Sequence, residues 1–222
     1  MNYPPTAALT AALRSSSATE QQAALATVAH LGARQPRLVL SLIPDIVALL
    51  HADNDETIAR SCWALGQLGR ERPQEILAAL PVLEKLLQHP VSIVRQCSVW
   101  SLGQIGEAHP GAIRPLLPAL LKLAKDPDSS VRQKMLWACE GLAREEPAWL
   151  LVYLDVFLQL LQDPDVERVQ REVPPLLACL AQQKSSIQPL VVPPLLEKTQ
   201  ASDDVLRMHA REALIHIMRE TE

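Results

Sequence analysis

The chain has 222 residues, 48% of them apolar but only 3% aromatic, and 21 Lys and Arg stand against 25 Asp and Glu for a net charge of −4. That length and apolar content allow a large buried core. The near-balance of charge argues against a general polyanion binder, because duplex affinity rests on clustered cations, and Leu and Ala in place of aromatics argue for stacked helices over a sheet.

The amino-terminal segment MNYPPTAALTAALRSSS carries no basic region followed by an apolar core, so it predicts no signal peptide. No run of 18 or more apolar residues predicts a membrane span. The first element is a short leading helix over roughly 5–14. A longer helix follows over 36–52, with Leu38, Leu42, Ile43, Ile46, Leu49 and Leu50 at helical spacing. Pro36 sits in its first turn, where a missing N–H costs little. Pro44 sits eight residues farther in, where proline ordinarily costs about 3 kcal/mol, and predicts a kink. The turn Asp53-Asn54-Asp55 offers side-chain acceptors to a second helix beginning near Thr57.

This unit recurs. Trp63, Trp100 and Trp137 are 37 residues apart, as are Pro36, Pro73, Pro110 and Pro147. Pro44, Pro81 and Pro118 keep the same interval and, after a one-residue slip, continue to Pro193. Asp155 takes the equivalent place in the copy opened by Pro147, which predicts a straighter helix there. Second helices begin near Thr57, Val94, Val131, Val169 and Leu206, and Asp126 to Asp128 repeat the acidic turn. Gly32, Gly69 and Gly106 are expected to close three of them. A period of this length is the signature of a solenoid. No Gly/Ser linker interrupts it, so the expectation is a single domain over 1–222 with units near 1–34, 35–71, 72–108, 109–145, 146–183 and 184–222.

A proline-broken helix, an Asp turn and a Val-Arg pair opening the second helix resemble the HEAT repeat. Val94-Arg95 and Val131-Arg132 carry the likeness, with Asp126 five residues ahead of Val131. Thr57-Ile58 and Val169-Gln170 lack the Arg, so the family's Asp–Arg ladder is expected to be broken at those copies. The resemblance implies an all-α, right-handed α–α superhelix of about six two-helix units. Cys62-Trp63-Ala64-Leu65-Gly66-Gln67-Leu68 is also similar to the Trp-Ala-Leu-Ser-Asn-Ile signature of the importin-alpha armadillo repeats. There the Trp and the Asn four residues later hold an extended peptide in an inner groove. Trp63 with Gln67 and Trp100 with Gln104 fit that pattern with Gln for Asn, whereas Trp137 is followed by Gly141.

The apolar face of the helix from Val94 is Val94, Ser98, Ser101, Leu102 and Ile105, and Trp100 falls about 145° from its centre at 100° per residue. By register the outward strip holds Gln96 and Gln133; Arg60 and Lys134; Trp63, Trp100 and Trp137; Gln67 and Gln104; and Arg70, Glu107 and Arg144. Gly66 and Gly103 lie on that side, where a missing side chain admits close backbone approach. One reading makes the strip a partner-binding floor, since Trp and Arg dominate interface energetics. The other makes each Trp mortar against the equivalent helix of the next unit, and an indole can do both.

Little points to chemistry. His30, His51, His89, His109, His209 and His216 show no metal spacing, and no His-Glu dipeptide like that of the iron-binding HEAT hydroxylases occurs. No phosphate loop or nucleophile elbow is present. Glu145-Glu146 and Asp203-Asp204 read as solvated caps, and Arg211-Glu212 with Arg219-Glu220 as a solvated outer face of the last helix. Cys62, Cys97, Cys139 and Cys179 stand singly, as packing residues in a reducing cytoplasm do. The expectation is a non-enzymatic scaffold or adaptor without cofactor or metal, binding a protein or peptide segment, with self-association left open. Two other readings rest on similarity of repeat type: a HEAT-like DNA-repair glycosylase, disfavoured by the charge balance, and a bilin-lyase-type subunit.

Overall fold

The computed structural model describes residues 4–219. Met1 to Tyr3 of the expected first unit, and Glu220 of the expected outer face, lie outside the described residues. Among those described, every regular element is helical. The chain divides into two compact units, Met1–Leu120 and Leu121–Glu222.

The first unit opens with α1 (Thr6–Leu13) and α2 (Ala18–Arg34), then α3 (Ile43–Leu49) and α4 (Asp55–Glu71), α5 (Leu80–Leu86) and α6 (Ser92–Ala108), and α7 (Pro110–Ile113). The short α8 (Leu117–Lys122) runs across the division in the chain. Each second helix starts on a side-chain or turn acceptor. Asn54 Oδ1 accepts from Thr57 N at 3.0 Å, and Ser17 Oγ from Glu20 N at 3.4 Å. The second helices α2, α4 and α6 pack side by side, and each of the three packs on its own first helix. Leu65, Leu68, Ile46, Ile76, Leu83, Val94, Leu102 and Ile105 fill the interior between them. Ser98 Oγ ties α6 to α5 by donating to Leu83 O at 2.5 Å.

The second unit holds α9 (Ser129–Glu145), α10 (Pro147–Leu150), α11 (Leu154–Leu160), α12 (Val173–Gln183), α13 (Gln188–Lys198) and α14 (Asp204–Arg219). Asp128 Oδ1 caps α9 through Ser130 N at 2.8 Å, and Asp203 Oδ1 caps α14 through Leu206 N at 2.8 Å. Packing runs α9–α12–α14, with Met135, Phe157, Leu161, Leu176, Leu180, Val191 and Ala210 inside.

Several expectations are corrected. The helix over 36–52 is not continuous. Two 3₁₀ turns, Pro36–Leu38 and Leu40–Leu42, precede α3, and Pro44 lies in the first turn of a new helix. Pro81 and Pro118 restart helices in the same way. The chain thus avoids the interior-proline penalty by breaking, because proline at N1 removes an N–H that would be orphaned anyway. Of this proline series, Pro193 alone stands in a helix interior, next to Pro194. Leu38 consequently turns outward and is 50% exposed. The copy with Asp155 is no straighter, since a 3₁₀ turn at Leu151–Tyr153 separates α10 from α11. The fifth second helix starts at Val173, after a 3₁₀ turn at Gln170–Glu172, and not near Val169. Pro174 and Pro175 set that start, since neither can donate to a preceding turn.

Gly32 and Gly69 do not cap helices either. Both lie within the last turns of α2 and α4, and no glycine has positive φ among the described residues. They permit close packing: a β-carbon on Gly32 would lie 3.1 Å from Leu68 Cγ, and one on Gly69 would lie 2.5 Å from Ile105 Cγ1. Gly106 is likewise inside α6. The polar ladder is not lost where the Arg is missing. Gln22 Nε2 donates to Asn54 Oδ1 at 3.1 Å in the Thr57 copy. In the Val169 copy Gln170 Nε2 donates to Asp163 O at 2.5 Å, while Arg171 reaches Asp203 with both Nε and Nη2, at 2.9 and 2.6 Å. In that copy Gln170 fills the Arg slot and Arg171 stands one position beyond it, so two side chains share the work. On α14, Arg211 and Glu212 are exposed as expected, but Met208 and Ile215 are exposed too.

Candidate binding surface

In the first unit the expected strip comes together on α4 and α6. Trp63 and Trp100 meet with ring centroids 6.4 Å apart and planes at 54°, within the range of favourable aromatic pairs. Gly66 makes this possible, since a β-carbon there would lie 2.5 Å from Trp100 Cζ3 and 3.0 Å from Ser101 Cα. The absent side chain at Gly66 therefore seats Trp100 of the neighbouring helix instead of admitting a ligand backbone. Trp100 is half-buried by this contact, while Trp63 keeps 41% of its surface exposed. Of the two rings, Trp100 is the one packed over Gly66 and Trp63 the one left more open.

Gln67 and Gln104, four residues beyond each Trp, are half-buried, as is Gln96. Among the described residues none of these three amides makes a hydrogen bond. The cations are held closer to home: Arg60 Nε bonds Glu56 Oε1 at 2.7 Å one turn away, and Arg70 lies 4.0 Å from Glu71. Glu107 is exposed.

In the second unit Trp137 is 41% exposed, and Lys134 Nζ lies 3.7 Å over its ring centre, a cation–π contact within α9. Arg144 Nη2 bonds Glu140 Oε1 at 2.5 Å. Gln133 reaches Glu172 Oε1 at 3.1 Å, so its amide links α9 to the turn before α12. Of the four thiols, Cys62 and Cys139 are buried, and desolvation pushes both well above the usual thiol range. They behave as small apolar residues.

Sequence reasoning missed a cavity of about 330 Å³ among α9, α12 and α14, lined by Glu140, Arg144, Cys179, Gln182, His209 and Glu212 among others. Its only signal was register: counted along the second helices, Pro175 and Glu212 occupy the places of Trp63, Trp100 and Trp137. The surface therefore changes character where the indoles stop.

Residues 43–122 and 117–215 match the family described as HEAT repeats. The chain belongs to the HEAT-repeat family. Solved structures share the fold of this HEAT-repeat chain. A designed armadillo repeat protein in complex with the peptide (KR)4 is 22% identical with a TM-score of 0.78, over 96% of this chain and 100% of that one. An engineered protein is 23% identical with a TM-score of 0.78, over 99% and 100%. A Kap121p mutant reaches a TM-score of 0.80 at 17% identity, over 96% of this chain and 23% of its own. No curated protein matches the chain. Among the described residues, no cluster of three or more His, Cys, Asp or Glu is placed to hold a metal ion, and no helix is long and apolar enough to cross a membrane.

Proposed function

We propose that this HEAT-repeat chain is a non-enzymatic scaffold that docks an extended segment of a partner protein on the surface of its second helices. The observation that carries the reading is Trp63. It is 41% exposed and braced from behind by Trp100 at 6.4 Å, and Gln67 and Gln104, four residues beyond each indole, make no hydrogen bond among the described residues. A rigid indole with little conformational freedom left to lose is a good anchor. Amides bond a peptide backbone whatever its side chains. Designed armadillo repeat proteins of this fold include one in complex with a peptide and others described as made for modular peptide recognition, which supports the choice of a peptide segment.

The test is selection of linear peptides from a displayed random library on the full chain, followed by affinity measurement on Trp63→Ala. Truncating the anchor is expected to cost about 2 kcal/mol, roughly a thirtyfold loss of affinity, with the melting temperature nearly unchanged. Selected peptides indifferent to Trp63, Gln67 and Gln104, or no selected peptide from a folded chain, would sink the proposal.

A further inference from the structure

The cavity in the second unit has a wall chemistry unlike that of the Trp pair. Several of the donors there are engaged within the chain, and the Arg144 charge is paired. His209 Nδ1 lies 2.7 Å from Arg171 O, and since a carbonyl only accepts, Nδ1 carries the proton of that bond and this tautomer offers Nε2 as an acceptor. Gln182 turns its NH₂ to His216 O at 3.3 Å, leaving Oε1 to accept. The Cys179 thiol donates to Ala143 O at 3.4 Å, and burial holds it in the thiol form. Arg144 is matched by Glu140. What remains is the carboxylate of Glu212, which has no cationic partner among the described residues, together with the free acceptor atoms of Gln182 and His209.

A recess of about 330 Å³ with unmet acceptors and one unmatched negative charge selects a long, donor-rich, positively charged guest. A guanidinium supplies five N–H groups and one charge on a flexible stem. We infer that the cavity between Glu140 of α9, Gln182 of α12 and Glu212 of α14 is a subsite for an arginine side chain of the docked partner segment. The inference rests on the proposed docking of a segment on the second helices, and adds the chemistry that one part of that surface reads.

The test uses the full chain and N-acetylarginine amide, followed by NMR through the His209 and His216 ring protons and the Gln182 side-chain amide. Shifts at these groups are expected with the arginine derivative and not with N-acetylcitrulline amide, which keeps the shape without the charge. Glu212→Gln should weaken binding about tenfold, and Glu212→Lys should abolish it with helicity unchanged, because Glu212 is exposed. A Gly/Ser peptide with one central arginine should bind more tightly than N-acetylarginine amide. Equal shifts with the citrulline derivative, or binding untouched by Glu212→Lys, would overturn the subsite. Agmatine binding as tightly as the peptide would overturn the partner-segment assignment in favour of a free small-molecule guest. The readout sits on α12 and α14 and is independent of Trp63. A silent cavity beside Trp63-dependent peptides defeats this inference alone, whereas arginine binding without Trp63-dependent peptides defeats the docking reading and with it the assignment to a docked segment, leaving only an arginine-selective cavity.

Discussion

Gly66 shows how one residue decides between two readings of the same pattern. Its position on the outward strip was legible from the repeat, and so was the position of Trp100. Register alone does not say how closely neighbouring second helices approach, and that separation decides whether the space above a glycine is filled by a neighbour or left open. Here the Trp100 ring fills it. Gly66→Ala would press a methyl against both that ring and the backbone at Ser101 Cα, 3.0 Å away. Overpacking of this kind is expected to destabilise by about 1–3 kcal/mol in urea unfolding. Combining it with Trp100→Leu should recover part of the loss, because the two residues share one contact. Trp63→Ala should cost much less stability, since its ring is 41% exposed. Strict additivity of Gly66→Ala and Trp100→Leu would show that the ring does not occupy the glycine notch. The cavity residues were not legible at this scale, because His209, Gln182 and Glu212 match no motif and gather only when three helices pack.

At the level of elements, the repeat told where each first helix is interrupted but not how. Proline markers locate the interruption, yet the copy with Asp155 breaks at the same place, so proline accommodates the break and does not by itself create it. The polar ladder between successive copies was only half visible, because Arg171 stands one position beyond the slot that the register assigns to Gln170, which hides its pairing with Asp203. Two predictions belong here. Arg132 reaches both oxygens of Asp163 at 2.7 Å, and both residues are buried. Arg132→Met strands that carboxylate and is expected to cost about 3 kcal/mol in chemical denaturation. The double variant with Asp163→Leu should recover much of it, and a loss below about 1 kcal/mol for the single variant would mean the pair is inessential. Asp203 is the acid-sensitive counterpart. Its bonds to the Arg171 side chain and to Leu206 N lower its pKa from the ordinary 3.8 to about 2. A carboxylate depressed on folding stabilises above the unfolded value, and that stabilisation is lost as pH falls through the folded one. The melting temperature of the wild-type chain should therefore fall more steeply between pH 4 and pH 2 than that of Asp203→Asn. Parallel profiles in that window would remove Arg171–Asp203 from the ladder.

The property of the molecule most fully legible in the sequence is its modularity, because a period of 37 residues constrains every copy at once. The structure gives that modularity a contact-level form within the first unit. A β-carbon on Gly32 would meet Leu68, and one on Gly69 would meet Ile105, and Leu68 and Ile105 are themselves 37 residues apart. Within this unit α2 and α4 each offer the next second helix a glycine notch, filled by Leu68 of α4 and, alongside Ile76, by Ile105 of α6. Excising residues 36–72 removes one full period, sets Pro73 where Pro36 stood, and brings Ile105 to the notch at Gly32 in place of Leu68. That exchange of Leu for Ile conserves volume and should be tolerated at under about 1.5 kcal/mol. The shortened chain is expected to keep its helicity per residue and to unfold cooperatively. Its dependence on urea should fall by roughly one-sixth, since that slope follows the surface exposed on unfolding and 37 of 222 residues are gone. Excising 36–60 instead breaks the register, leaves Gly32 without its aliphatic partner, and should give a chain of lower helicity per residue by circular dichroism. Equal behaviour of the two deletions would mean that the copies are alike in sequence without being interchangeable in packing.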